Sequence, residues 1–180
     1  MAQLRMIWEN DGKAAVFPTL PQNITLGTFH ALDGALSAWQ DIVRYLDKEG
    51  NMDTGGNYYK ETMLDYPNYS EELCFFVLVD EKPAATITVI CNKEKREGYI
   101  HMVACKPEFR GMGIGKLLND VALYALKNED METAYLTTDD WRIPAIKSYL
   151  KAGFTPDLTT EPDFKERWQK IYDIIKEPRV

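Results

Sequence analysis

The sequence predicts an α+β fold in which a central, mixed but mostly antiparallel sheet is flanked by helices. Three observations lead there. Residues 73–79, 84–91 and 99–105 are consecutive apolar, strand-like runs joined by short polar turns, which makes an antiparallel meander. Apolar residues recur at helical spacing on either side of it, at Leu36, Trp39, Val43 and Leu46, and at Ile114, Leu117, Leu118, Val121 and Ala125. The 180 residues, 45% of them hydrophobic, suffice for one sizeable core, and no Pro/Gly/Ser linker is long enough to divide them. Residues 1–180 are therefore expected to form a single domain, with 1–20 as an N-terminal extension and 161–180 as a C-terminal helix.

In chain order, residues 4–8 and 14–17 predict a short hairpin around Asn10-Asp-Gly12, because Asp-Gly supplies the positive φ that a tight turn needs. A strand follows over 24–30, then a helix N-capped by Asp33 and stopped by Gly50. Residues 51–71 are polar and tyrosine-rich, with a short helix over 59–64. After the meander, three alternating glycines open the second long helix. A strand is expected over 133–138 and a helix over 143–151 that ends at Gly153. The tail carries Phe164, Trp168, Ile171, Tyr172 and Ile175 at helical spacing, for docking on the body or for a homodimer face.

Composition excludes several classes. A net charge of −7 argues against a nucleic-acid binder, which needs a basic face. Cys74, Cys91 and Cys105 lie in strand-like runs without metal-ligand spacing, and read as buried thiols of a reducing cytosol. With only His30 and His101 besides, no metal site is expected. The first ten residues lack the apolar core of a signal peptide, and no stretch approaches a membrane span, so a cytoplasmic protein without membrane contact is expected.

The chemistry concentrates at Arg110-Gly-Met-Gly-Ile-Gly115, a strand-to-helix turn. Its glycines let the backbone approach a ligand closely, and its N–H groups with the helix dipole form a nest for phosphate oxygens. A P-loop would need Ser or Thr after Gly115-Lys116, where Leu117 stands. A dinucleotide fingerprint would need Gly-x-Gly-x-x-Gly, where the chain has Gly-x-Gly-x-Gly. The turn, with Pro107 ahead of it, instead resembles the acetyl-CoA-binding motif of the GNAT N-acetyltransferase superfamily. A second match lies downstream, in Pro144-Ala-Ile-Lys-Ser-Tyr149 and Gly153-Phe154. The resemblance covers about residues 24–155, and His101-Met-Val-Ala-Cys105 with Thr137-Thr-Asp-Asp-Trp-Arg142 look closest to a mycothiol-synthase-like branch. Members of that branch carry two such domains where this chain has one.

The resemblance implies the GNAT fold, splayed at the acetyl-CoA site, and direct acetyl transfer from acetyl-CoA to a primary amine, with a small-molecule acceptor. Val103, Ala104 and Cys105 would pair with the pantetheine arm through their backbone. The N–H groups of Arg110, Gly111, Met112, Gly113, Ile114, Gly115 and Lys116 would hold the diphosphate. Tyr149 would face the sulfur as general acid, or simply pack in the core. His101, placed by strand parity on the face of Val103 and Cys105, is a candidate base or a core histidine. Glu72, Asp139 and Asp140 are further candidates for the base. Arg142 stands where many members have Asn, and can reach the pantetheine, a substrate carboxylate or solvent. A non-catalytic acyl-CoA sensor and a peptide or protein N-acetyltransferase are the alternatives.

Overall fold

The structure is a computed structural model that describes residues 2–47 and 49–176. Seven strands make one sheet in the order β2-β3-β4-β5-β6-β1-β7. They are β1 (Leu4–Glu9), β2 (Ile24–Thr28), β3 (Cys74–Val79), β4 (Lys82–Asn92), β5 (Glu97–Cys105), β6 (Thr133–Thr138) and β7 (Thr155–Pro156). The helices are α1 (Ala35–Val43), α2 (Ile114–Asn128), α3 (Ile143–Lys151) and α4 (Phe164–Lys176). Strands β3 to β5 form the expected antiparallel meander, β2 extends it as an antiparallel edge, and β5 pairs with β6 in parallel. One face of the sheet packs against α2, α3 and α4; the other packs against α1 and a single helical turn over Lys60–Leu64. Among the described residues no helix is long and apolar enough to cross a membrane.

The N-terminal hairpin is not formed. Gly12 turns as expected, at φ +71°, but residues 14–17 return no strand, and Val16 and Phe17 stay exposed. Instead β1 inserts between β6 and β7, pairing along its whole length from Leu4↔Thr138 to Glu9↔Thr133. The reason is burial: this register sinks Leu4, Met6 and Trp8 into the core beside Ala134 and Leu136, whereas a local hairpin buries nothing comparable.

Helix α1 also differs at both ends. Gly34, at φ +70°, precedes it, no side chain caps it, and Leu36 is exposed while Ile42 takes the buried position. The helix ends at Val43, well before Gly50, and a tight turn over Arg44–Leu46 follows. At the other end of the chain, α4 docks through Phe164, Trp168 and Ile171, and buried Arg167 ties it to Asp140 at 2.5 and 3.0 Å. The last four residues of the expected C-terminal helix lie outside the described residues.

Two irregularities of β5 shape the site. Its pairing with β6 runs only from Glu97↔Thr133 to Ile100↔Leu136, so beyond Ile100 the two strands part and leave a split in the sheet. On its other edge the register steps from Thr86↔Ala104 to Thr88↔His101, two residues of β4 against three of β5. The extra residue is accommodated at Met102, which adopts φ +50°. This bulge reverses the parity: Val103 and Cys105 pack toward α2, whereas His101 faces the α1 side with Tyr99. The expectation that His101 shares a face with Val103 and Cys105 is thereby corrected.

Candidate active site

The strand β5 leads through the short turn Pro107–Phe109 into the glycine run and then α2. Gly111 and Gly113 sit at φ +83° and +79°, and a Cβ at either would meet no atom within 4 Å, projecting into open space. No carbonyl or side chain among the described residues accepts the N–H groups of residues 111–116. They form a row of free donors at the positive end of a fifteen-residue helix. The amide of Arg110 does not belong to this row, since it donates to Pro107 O at 3.1 Å while the guanidinium Nε donates to Cys105 O at 3.2 Å. Lys116 is exposed and pairs with Asp120 at 2.5 Å, one turn along the helix.

These donors open onto a cleft of about 770 Å³ on the α2–α3 side of the split. Its walls include Val103, Ala104 and Cys105 of β5, the turn residues Arg110, Gly111, Gly113, Ile114 and Gly115 (the side chains of Met112 and Lys116 are not among them), Arg142, and Ser148 and Tyr149 of α3. Helices α2 and α3 are joined across its floor by Asn119 Nδ2, which donates to Ser148 Oγ at 2.9 Å. Free amide donors at one end and a strand edge without a ladder along one side match a diphosphate on an extended arm. Burial pushes the Cys105 thiol up to about 11, so it stays protonated and inert near neutral pH.

Tyr149 is 7% exposed, and its hydroxyl makes no hydrogen bond among the described residues. Desolvation pushes it up to about 12, against a smaller pull from the nearby Arg142 charge. Arg142 sits at the N-cap of α3, where its Nη2 donates to Leu46 O and pairs with Asp139 at 3.1 Å. Its guanidinium lies 4.9 Å from the Trp141 ring centre, and its Nε is buried without a partner among the described residues.

His101 does not line this cleft. It lies on the opposite face of the sheet, at the apex of the split, within a ring cluster: Tyr66 and Tyr99 each centre 5.1 Å from it. Its Nε2 donates to Thr62 O at 2.9 Å, which leaves Nδ1 to accept from Tyr99 Oη at 3.2 Å. Burial lowers its pKa, only partly offset by the Thr62 bond. Of the carboxylates, Asp140 anchors Arg167 and Asp139 pairs with Arg142, while Glu72 lies in the short turn Glu71–Leu73 before β3. Tyr45, Leu46, Asp47 and Trp141 also line the cleft, and the sequence reading did not assign them to it. Their only signal was the exposed aromatic Trp141 at a strand end; the first three come into place because α1 stops early.

Comparisons agree with this geometry. The acetyltransferase (GNAT) family model matches residues 39–154. Human N-alpha-acetyltransferase 30 is 30% identical over 120 residues, covering 65% of this chain and 32% of the human protein. Mycothiol acetyltransferase of Streptomyces griseus is 37% identical over 64 residues, 36% of this chain and 21% of that one. The chain thus spans about a third or less of the length of these curated relatives. Among solved structures, a GCN5-related N-acetyltransferase from Sphaerobacter thermophilus superposes with a TM-score of 0.62 at 19% identity, over 86% of this chain and 49% of that one. With a match across well over half of its residues, and with the split sheet and glycine turn in place, the chain belongs to the acetyltransferase (GNAT) family.

Proposed function

We propose that the chain is an acetyl-CoA-dependent N-acetyltransferase that delivers the acetyl group to a primary amine by direct attack. The observation that carries this reading is the single cleft in which free amide donors, the unlatticed end of β5 and the Tyr149 hydroxyl converge. The amides of residues 111–116 hold the diphosphate, and the backbone of Val103, Ala104 and Cys105 pairs with the pantetheine arm. Acetyl-CoA supplies an activated thioester; the chain orients it, excludes water and receives the departing sulfur at Tyr149. The acceptor enters through the split from the opposite face, where His101, held in its Nε2–H tautomer by Thr62, draws the released proton through Tyr99.

For the acceptor, a small-molecule amine is the first reading, supported by the likeness to mycothiol acetyltransferase. A peptide N-terminus is the second, favoured by the longer match to N-alpha-acetyltransferase 30. The test is calorimetric binding of acetyl-CoA, followed by CoA release with a panel of amino sugars, polyamines and short peptides with free N-termini. Turnover on peptides alone selects the second reading. Tight binding of acetyl-CoA without turnover on any amine favours a sensor over an enzyme.

A further inference from the structure

We propose that Arg142 is a second catalytic group at the sulfur end of the cleft, its guanidinium stabilising the leaving group as a thiolate to which Tyr149 donates a hydrogen bond. The inference rests on the acetyl-CoA reading above, and adds to it the charge state in which the sulfur departs.

Arg142 and Tyr149 are seven residues apart, two turns of α3, so both present to the same side of the helix and both line the cleft. Neither Arg142 Nε nor the Tyr149 hydroxyl has a protein partner among the described residues. The rest of the guanidinium is fixed by Leu46 O, Asp139 and the Trp141 ring. A cation held in place before charge develops needs no reorganisation when it does, and a half-dry cleft strengthens its effect.

The chemistry calls for such a charge. As the carbonyl re-forms after amine attack, the carbon–sulfur bond breaks and its electron pair goes to sulfur. Outright proton transfer from Tyr149 would leave a tyrosinate. A phenol held at about 12 gives its proton to a thiolate whose thiol has a pKa of ~8.5 only against an equilibrium of roughly three-thousandfold. Departure as thiolate avoids that: the nitrogen's proton leaves through the opposite face to His101 by way of Tyr99, and the products are the amide and CoA thiolate. Arg142 then faces the negative charge, with Tyr149 as hydrogen-bond donor.

The test needs no acceptor. CoA bound to the protein is titrated from about pH 6 to about pH 9.5 by ultraviolet thiolate absorbance, with desulfo-CoA complexes as the blank. The other titratable groups lining the cleft are Tyr45, Asp47, Cys105, Arg110 and Lys151, with Asp139 paired to Arg142. The Cys105 thiol, at about 11, is silent in that window. The bound CoA thiol is expected to titrate at least about one pH unit below free CoA, which is roughly tenfold more thiolate at the acid end of the range. Arg142→Gln abolishes the excess, Arg142→Lys keeps part of it, and Asp139→Asn, which frees the cation of its counter-charge, increases it. An unshifted thiol in the wild-type complex, or an equal shift in wild type and Arg142→Gln, overturns the inference. Should Arg142→Gln melt early, the Asp139→Asn titration decides, since it leaves Arg142 in place. Absence of CoA binding to the wild type overturns the acetyl-CoA reading itself, whereas binding with an ordinary thiol overturns only the role of Arg142.

Discussion

Tyr149→Phe removes one oxygen from a buried ring that keeps its packing against Phe154. The expected result is a fold that melts within a few degrees of wild type and a kcat lower by roughly 10²–10³-fold, with little change in KM for acetyl-CoA. Unchanged turnover would show that the hydroxyl is a packing feature. His101 makes the complementary prediction on the acid side. Burial keeps its pKa below the ordinary imidazole value, so as a base it works until the pH falls through that lowered value. The acid limb of kcat/KM should therefore lie below pH ~6.5 and disappear in His101→Gln. A limb that persists in the variant assigns the proton to another group. Both residues were candidates from the sequence, but the face that His101 takes was not legible there. Strand parity assumes an unbroken pleat, and nothing in His101-Met-Val-Ala-Cys105 announces that Met102 will take a positive φ.

At the level of elements, the strand–turn–helix unit of β5, the glycine run and α2 was legible throughout, because a tight turn with positive φ leaves glycine as the low-strain choice. Gly113→Val places a branched side chain in the space the diphosphate would occupy and forces it to φ +79°. Acetyl-CoA binding should weaken by roughly 100-fold, ~2.7 kcal/mol, while the backbone strain costs about 1–2 kcal/mol of stability. Calorimetry and a melting curve on one preparation separate the two, and unchanged affinity would place the diphosphate elsewhere. The helix α1 was read less well. Its apolar spacing was visible, but its end at Val43 was not, nor was the bond from Arg142 to Leu46 O just beyond it, a contact across 96 residues that no local pattern encodes. Tyr45 and Asp47, beyond that end, line the cleft.

Across the whole molecule, the meander β3-β4-β5 was legible because its turns are local, whereas the closing of the sheet was not. β1 finds its partners only at β6 and β7. A buried carboxylate guards this closure: Asp157, just after β7, accepts from the backbone N–H and hydroxyl of Thr159 and Thr160 and faces Arg5 of β1. Burial alone would raise its pKa, but these donors outweigh it and hold the carboxyl at about 2, below the unfolded value near ~3.9. A depressed carboxyl stabilises above the unfolded value and loses that contribution as pH falls toward the folded one. Asp157→Asn should thus lower stability by ~1–3 kcal/mol at neutral pH, with the gap to wild type closing between about pH 4 and pH 2. A gap constant across that range would show that the charge is irrelevant. The position of β1 also has a consequence in time. Leu4 pairs with Thr138, so a strand that leaves the ribosome well ahead of β6 has no partner until β6 has followed. At about 5–20 residues per second, that interval is on the order of ten seconds, during which Leu4, Met6 and Trp8 stand as an unpaired apolar strand for chaperones to cover.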